Sequence, residues 1–260
     1  MLQSILIAAL LQGRQQAVTE AQKISLATPQ VVVEVDTDRL KGQPTVLAWS
    51  TDGKDMYLQT VERDRSGVVK SMRHYVITGD PKSLKQQDQQ PAWASQYWSW
   101  KSAQASPVSS SFKISVESRE ETKRATAAVG DLAKGGGSAG DGRGIPGTTA
   151  DEVGNIATQS QVLTIYTLKL KGTTLGEWTN EAVVPGLNFG WAPAPHRLIV
   201  YAKREGGPLL ALDEQGRKQD LTGAKNAVLP AWSSDGKKLA WLERKDRKKF
   251  DLTIADVSRQ

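Results

Sequence analysis

The chain has 260 residues, with 34 lysines and arginines, 28 aspartates and glutamates, eight tryptophans, two histidines and no cysteine. The absence of cysteine excludes a disulfide framework, a thiolate nucleophile and a cysteine metal site, and two histidines are too few for a histidine-rich metal site. The net charge of +6 is spread along the chain and is not gathered with stacking aromatic residues, so the sequence does not predict a nucleic-acid surface.

A short apolar run lies near the start of the chain. Residues 5–11 read Ile-Leu-Ile-Ala-Ala-Leu-Leu, which is too short to span a bilayer. The run predicts either the hydrophobic region of a signal peptide within residues 1–26 or an N-terminal helix that continues to residue 22. We expect the export signal, and with it a periplasmic or secreted protein; otherwise the protein is cytoplasmic. No other stretch predicts a membrane span, and residues 27–260 are expected to form the folded domain.

Two strand patterns follow, and the second ends in a tryptophan turn. Residues 31–35 are a β-branched run, Val-Val-Val-Glu-Val, which predicts a strand. Residues 46–58 read as an apolar strand ending at Trp49, a turn at Asp52 and Gly53, and a second apolar strand. An Asp-Gly pair between two apolar runs is a strong hairpin signal, because glycine takes a positive φ without steric cost.

A second copy of this pattern has lost its turn. The Pro-Ala-Trp that ends at Trp93 repeats the Pro-Ala-Trp that ends at Trp232, and it follows Trp49 by about 44 residues, which predicts the start of another repeat unit. Trp98 and Trp100 come next. On a strand these two residues share one face, so we single them out as candidate binding residues that stack on a sugar or on a proline of a peptide.

Regular periodicity disappears between residues 118 and 159. Residues 125–155 are rich in glycine, alanine and small polar residues, which bury too little apolar surface to offset their ordering entropy, so a flexible insertion is expected. Residues 136–140 match the Gly-x-Ser-x-Gly pattern of serine hydrolases, and residues 135–140 match a dinucleotide-binding pattern. No strand–helix unit surrounds them, so we interpret both as chance matches.

Two further copies complete the repeat. Trp191 begins a degenerate copy of the motif, and Trp232 begins a full copy with its turn at Asp235 and Gly236. The spacing of about 41 residues between the two tryptophans is that of one four-stranded propeller blade. In three copies an apolar residue falls seven places after the tryptophan, namely Met56, Leu198 and Leu239. The repeat therefore predicts an all-β fold, a β-propeller of about five four-stranded antiparallel blades, within a range of four to six.

The two turn aspartates have two interpretations. Asp52 and Asp235 are either paired carboxylates for acid–base chemistry or turn residues whose side chains accept backbone N–H groups. Their equivalent positions in the repeat favour the turn role. The repeat residues interpreted as structural are Trp49, Asp52, Gly53, Trp93, Trp191, Trp232, Asp235 and Gly236.

The two ends of the domain each hold an incomplete element. The last repeat unit has three predicted strands, at residues 228–231, 239–242 and 252–257, and lacks a fourth. Residues 31–35 are a predicted strand without a unit of its own. Because an unpaired edge exposes backbone donors and acceptors, we predict that the strand at residues 31–35 pairs with the last unit and closes the ring.

The motif Trp-Ser-x-Asp-Gly-Lys, present at Trp49 and Trp232 and degraded at Trp191 and Trp93, resembles the blade repeat of TolB-type β-propellers. Such WD-repeat-like blades are also similar to those in the propeller domains of prolyl-oligopeptidase-like peptidases. The resemblance covers most of the chain from residue 31 onward, apart from the insertion. It implies an interaction platform of the bacterial envelope.

We therefore expect a non-catalytic, monomeric protein-interaction or scaffold module that binds another protein and carries no cofactor. The first alternative is a propeller enzyme or a carbohydrate-binding protein with a site in the central channel. The second is the propeller domain of a peptidase standing alone. Recovery of a protein partner in a pull-down supports the interaction module, whereas turnover of a small molecule supports the enzyme.

Overall fold

The computed structural model describes residues 23–64, 68–101, 105–124, 160–179, 188–202, 207–221 and 223–260. Within these ranges four antiparallel blade sheets follow one another along the chain and stand in a ring, which is a four-bladed β-propeller. The predicted all-β propeller is confirmed, and the blade number lies at the lower end of the predicted range.

Blade 1 is a four-stranded meander with a short helix before it. Helix α1 (Thr37–Leu40) leads into β3 (Gln43–Trp49), β4 (Met56–Arg63), β5 (Val69–Thr78) and β6 (Ser83–Gln87), and the strands pair in that order. Asp36 caps the helix, since its Oδ1 accepts the backbone N–H of Asp38 at 2.9 Å. The turn from β3 to β4 is the predicted one, and Gly53 has a φ of 68°.

Blade 2 departs from the predicted pattern at its start. The repeat unit predicted to start at Trp93 does start there, but with a helix in place of a strand, since Ala92–Lys101 form helix α2. This copy lacks the Asp-Gly turn, residues 92–101 contain no β-branched residue, and Pro91 precedes the helix, where proline is favoured. The rest of the blade is a hairpin of β7 (Ala105–Ser106) and β8 (Ser109–Lys113), followed by a sheet of β9 (Ser115–Arg124), β10 (Ser160–Leu170) and β11 (Thr173–Thr179).

The pairing of β9 with β10 explains the blade number. Arg124 pairs with Ser160 and Ser115 with Lys169, so the strands on either side of residues 125–159 belong to one blade. The long connection of residues 125–159 therefore joins two neighbouring strands of the same blade.

Blade 3 is the shortest of the four. Its strands are β12 (Phe189–Trp191), β13 (Leu198–Ala202), β14 (Leu209–Asp213) and β15 (Lys218–Asp220), paired in that order. Leu198, the residue seven places after Trp191, is 1% exposed, as the repeat predicts for a core position.

Blade 4 takes its fourth strand from the other end of the domain. Its own strands are β16 (Ala227–Trp232), β17 (Lys238–Arg244) and β18 (Lys249–Arg259). The outer edge of β18 pairs with β2 (Gln30–Asp36) and with β1 (Ile24–Leu26). In this register Val35 lies opposite Phe250 and Leu26 lies opposite Val257. The predicted closure of the ring is confirmed, and the paired strands begin at Ile24, three residues before the expected domain boundary.

Three apolar clusters fill seams between blades. One joins blades 4 and 1 and includes Val35 and Trp49, one joins blades 3 and 4 and includes Trp232, and one joins blades 2 and 3 and includes Trp191. Helix α2 contacts both β3 and β12. It therefore takes the inner position that a first strand of blade 2 would have occupied.

Several sequence predictions concern residues outside the described part of the chain. Residues 1–22 of the export signal or helix predicted within residues 1–26 and the insertion at residues 125–155 both lie there. Residues 24–26 of the predicted signal are strand β1. In the part that is described, neither helix has the length and hydropathy that a membrane crossing requires.

Candidate functional site

The Trp-Ser-x-Asp-Gly turn of blade 1 is closed by its own side chains. The hydroxyl of Ser50 donates to Asp52 Oδ1 at 2.6 Å and accepts the backbone N–H of Asp55 at 3.0 Å. The same Oδ1 accepts the backbone N–H of Lys54 at 3.1 Å. The Ser50 and Asp52 side chains are thus bonded within the turn, which explains the spacing that the Trp49 and Trp232 copies share.

Blade 4 repeats this geometry. Ser233 donates to Asp235 Oδ1 at 2.6 Å, and the N–H groups of Lys237 and Lys238 donate to Asp235 and to the Ser233 hydroxyl at 3.0 and 2.9 Å. Gly236 has a φ of 69°, close to that of Gly53. Both aspartates therefore serve turns, and their carboxylates are already bonded.

We expect the substitution Asp235→Asn to reduce the acid sensitivity of the fold. Hydrogen bonds from the Ser233 hydroxyl and from the Lys237 N–H hold the pKa of Asp235 below its ordinary value of 3.8. A carboxyl group whose pKa is lower in the folded state stabilises the fold above the unfolded pKa and loses this contribution as the pH falls through the folded pKa. The difference in urea midpoint between wild type and variant should be constant from neutral pH to about pH 4 and shrink below it. A difference that stays unchanged into stronger acid contradicts this role.

The turns of the repeat surround a cleft at one end of the ring. The cleft has a volume of about 220 Å³, and we call it the indole pocket. Its lining is Trp49, Ser50, Thr51, Trp93, Gln96, Pro193, Trp232 and Ser234. All four copies of the repeat contribute, since Trp93 and Gln96 come from the copy that became helix α2. The pocket is therefore the feature that the repeat builds around the centre of the propeller.

Trp93 is positioned by a buried polar chain in blade 1. The Thr45 hydroxyl donates to Gln59 Oε1 at 2.9 Å, which leaves Gln59 Nε2 to donate to Tyr57 Oη at 3.2 Å. Tyr57 Oη lies 2.7 Å from His74 Nδ1, and burial raises the pKa of Tyr57 to about 12. The Trp93 ring meets the Tyr57 ring edge-on, with centroids 6.2 Å apart. This fixed tyrosine supports the half-buried Trp93 at the pocket.

The indoles of Trp49 and Trp232 form a second wall, and their N–H groups differ. Trp49 Nε1 donates to Ala231 O at 3.1 Å, which ties blade 1 to blade 4. Trp232 Nε1 is buried and has no hydrogen-bond partner. The rim of the pocket is tied as well, because the Ser234 hydroxyl donates to Thr51 O at 2.7 Å.

His196 belongs to the packing behind this wall. Its ring centroid lies 5.4 Å from that of Trp232, and its Nε2 donates to Gly236 O at 3.0 Å. Burial lowers the pKa of His196, so the ring is neutral near pH 7. A Cβ on Gly236 would lie 3.0 Å from His196 Cδ2, so this glycine is required by the contact as well as by its φ.

The third copy contributes differently from the others. Trp191 is fully buried and packs edge-on against Phe112, with centroids 5.1 Å apart, and Pro193 lines the pocket in its place. Thr51, Pro193 and Ser234 each stand two places after the tryptophan of their copy. Sequence reasoning missed these three residues, although this shared offset was the signal that pointed to them.

Trp98 and Trp100 do not form the expected pair on a strand. Both lie on helix α2, where an interval of two residues does not define one face. Their side chains lie outside the described part of the chain, so the prediction that they bind a ligand stays a prediction.

The described lining of the indole pocket is apolar and uncharged. Among the residues that the structure describes there, none is an aspartate, glutamate, histidine, lysine or arginine. Within the described ranges no group of three or more His, Cys, Asp or Glu side chains is placed to hold a metal ion. Two wider clefts of about 410 and 570 Å³ lie between blades 4 and 1, and the described residues that line them come from these two blades and from helix α1. Charged pairs such as Lys248 with Asp38 cross that seam. A comparison of the chain with protein-family models and with curated proteins gives no match in either case.

Proposed function

We propose that this propeller is a non-catalytic binding module whose indole pocket takes up one apolar side chain of a partner protein. The observation that carries the proposal is the composition of the lining. Three indoles and a proline from all four repeat copies meet in one small cleft, and none of the described side chains that join them is ionisable.

The size of the pocket matches a single anchoring side chain. An aromatic side chain buries about 150–250 Å², which at about 25 cal/mol per Å² contributes about 4–6 kcal/mol. A dissociation constant of 1 mM corresponds to about 4 kcal/mol. One anchor therefore gives weak binding, and the exposed rim residues Thr51, Gln96 and Ser234 supply the polar contacts that add to it.

General acid–base catalysis needs a titratable group within hydrogen-bond reach of the substrate. The histidine and tyrosine behind the walls do not meet this need. His196 is 5% exposed and bonded to Gly236, and Tyr57 is fully buried. A binding role is thus better supported than an enzymatic one.

The cellular setting rests on the sequence. The resemblance of the turns at Trp49 and Trp232 to TolB-type blades, together with the apolar run at residues 5–11, supports a module of the bacterial envelope that acts in the periplasm or outside the cell. The partner is then another protein of that compartment.

One observation favours a second candidate, a carbohydrate ligand. Half-buried Trp93 and the rim amide of Gln96 stand on the same helix, and an indole beside an amide is the combination that stacks on a sugar ring and bonds its hydroxyls. Titration with a panel of mono- and disaccharides separates the two candidates, because saturable binding of a sugar at the pocket replaces the peptide proposal.

A peptide selection tests the proposed function. Random peptides displayed on phage and selected on the wild-type protein should share one apolar anchor residue. The variant Thr51→Arg places a long cation over the pocket without changing the core. It should therefore lower the affinity for the selected peptides by about tenfold or more. Thr173→Arg, an exposed threonine at the start of β11, is the matched control and should leave affinity unchanged. Equal loss in both variants, or no loss in either, contradicts a role for the pocket.

A further inference from the structure

Blade 1 has a strand edge that no other strand in the described ranges covers. Strand β5 has ten residues, but the five-residue β6 pairs only with residues 74–78 of it. Residues 69–73 pair with β4 on one side and with no described strand on the other. We call these residues the β5 edge. Val61, opposite Met72, also pairs with Gln43, so this edge lies at the end of blade 1 away from Trp49 and the indole pocket.

The β5 edge coincides with an exposed apolar patch. Val68, Val69 and Met72 are 62%, 44% and 49% exposed, and the large hydrophobic residues exposed in the described ranges are these three and Val31. An open edge that also carries apolar side chains is a template for pairing with another chain.

Side-chain contacts hold part of the β5 edge against the blade. Arg73 Nη1 donates to Lys41 O at 2.5 Å and to Ser71 Oγ at 3.1 Å, and it lies 3.4 Å from Glu62 Oε2. The Ser71 hydroxyl also donates to Glu62 at 3.0 Å. These contacts fix one face of the strand against the blade, which lowers the ordering cost of adding a further strand.

In blade 4 the outer edge of the third strand is covered by further strands. The eleven-residue β18 carries β2 and β1 along its outer side, so two short extended segments complete that blade. The β5 edge is the corresponding third strand of blade 1, with the half that lies beyond β6 left open.

We propose that an extended, acidic segment of a partner protein adds to the β5 edge as a further strand of blade 1. The pairing with β4 shifts register at Lys70, and outside this shift alternate residues of the edge direct their N–H and C=O outward to bond such a segment. Apolar side chains of the segment rest against Val69 and Met72. The charges favour an acidic segment, because the described charged residues on and beside the edge are four cations and two anions: Lys41, Arg63, Lys70, Arg73, Glu62 and Asp64.

A second copy of the chain fits this edge less well. Antiparallel pairing of two edges about a two-fold axis brings the cations of both copies together, and like charges facing each other across an interface disfavour it. The occupant is therefore a peptide segment of opposite charge.

Hydrogen exchange on the full chain tests this proposal with a defined probe. The probe is a capped eight-residue peptide of alternating valine and threonine with a glutamate at each end. At ten times its dissociation constant it should slow exchange within residues 69–73 about tenfold. A peptide with two prolines in its centre should give no protection, and one with lysine in place of the glutamates should bind more weakly.

Substitutions at three sites test whether the peptide binds at the β5 edge. Met72→Glu should lower the affinity for the probe by about tenfold or more, whereas Val31→Glu, at an equally exposed valine on β2, should leave it unchanged. Thr51→Arg at the indole pocket should also leave it unchanged, so failure here is separate from failure of the proposed function. Protection by the proline peptide, slow exchange at residues 69–73 without any peptide, or self-association that Met72→Glu abolishes would each overturn the proposal.

Discussion

Replacing Val35 by aspartate is expected to destabilise the whole propeller by about 4 kcal/mol or more, because it places a charge in an apolar seam. Val35 is fully buried in the cluster that joins blades 4 and 1, and it lies opposite Phe250 on β18. The substitution therefore detaches the strand that completes blade 4. Urea unfolding followed by tryptophan fluorescence measures the loss, and hydrogen exchange at residues 250–254 should accelerate.

The matched control lies on the same strand. Val31 is 60% exposed, so Val31→Asp introduces the same charge into solvent and should cost less than about 1 kcal/mol. Equal shifts of the urea midpoint for the two variants would show that β2 does not hold the ring shut.

Truncation of Trp232 to alanine is the second large effect, expected at about 3–5 kcal/mol. Trp232 is fully buried between blades 3 and 4 and packs against His196, so alanine leaves a cavity at the seam. Thermal and urea midpoints measure the loss.

Phenylalanine at two equivalent positions separates packing from hydrogen bonding. Trp232 Nε1 has no hydrogen-bond partner among the described residues, so Trp232→Phe removes packing contacts alone. Trp49→Phe also removes the hydrogen bond to Ala231 O. Trp49→Phe should therefore cost about 1 kcal/mol more. A larger loss for Trp232→Phe would mean that its indole N–H has an acceptor in solution.

Much of the fold could be predicted from the sequence, because the repeat motif specifies its turns through local contacts. The turns at Asp52 and Asp235 close on residues within five positions, so a short motif specifies them fully. The closure of blade 4 was also predictable, since one unit lacked a strand and one strand lacked a unit. Both inferences needed only pattern and the need to pair strand edges.

Other features depend on contacts that no local pattern records. Strand β9 runs through charged residues to Arg124 because β10 pairs with it along its whole length, and a polar sequence without periodicity did not predict this. Leu229 has a φ of 53° in a bulge of β16, where its N–H donates to the buried Asn188 side chain at 3.0 Å. Such a conformation is set by a partner 41 positions away and not by leucine itself.

The sequence predicted some of the residues that line the indole pocket, but not the pocket itself. The repeat singled out Trp49, Trp93 and Trp232 as blade residues, and the structure gathers all three around one pocket. The pocket itself required the ring geometry, and also the helix that replaces a strand at Trp93. The repeat did not predict the different role of Trp191, which occupies the equivalent sequence position but packs in the core against Phe112.

The indole N–H resonances of the tryptophan-labelled protein, titrated with a selected peptide, test the central claim most directly. Binding in the indole pocket predicts saturable shifts for Trp49, Trp93 and Trp232, while Trp191 and Trp241, which are fully buried and do not line the pocket, keep their positions. Shifts confined to Trp191 or Trp241, or a bound peptide that moves none of the three lining indoles, would contradict it.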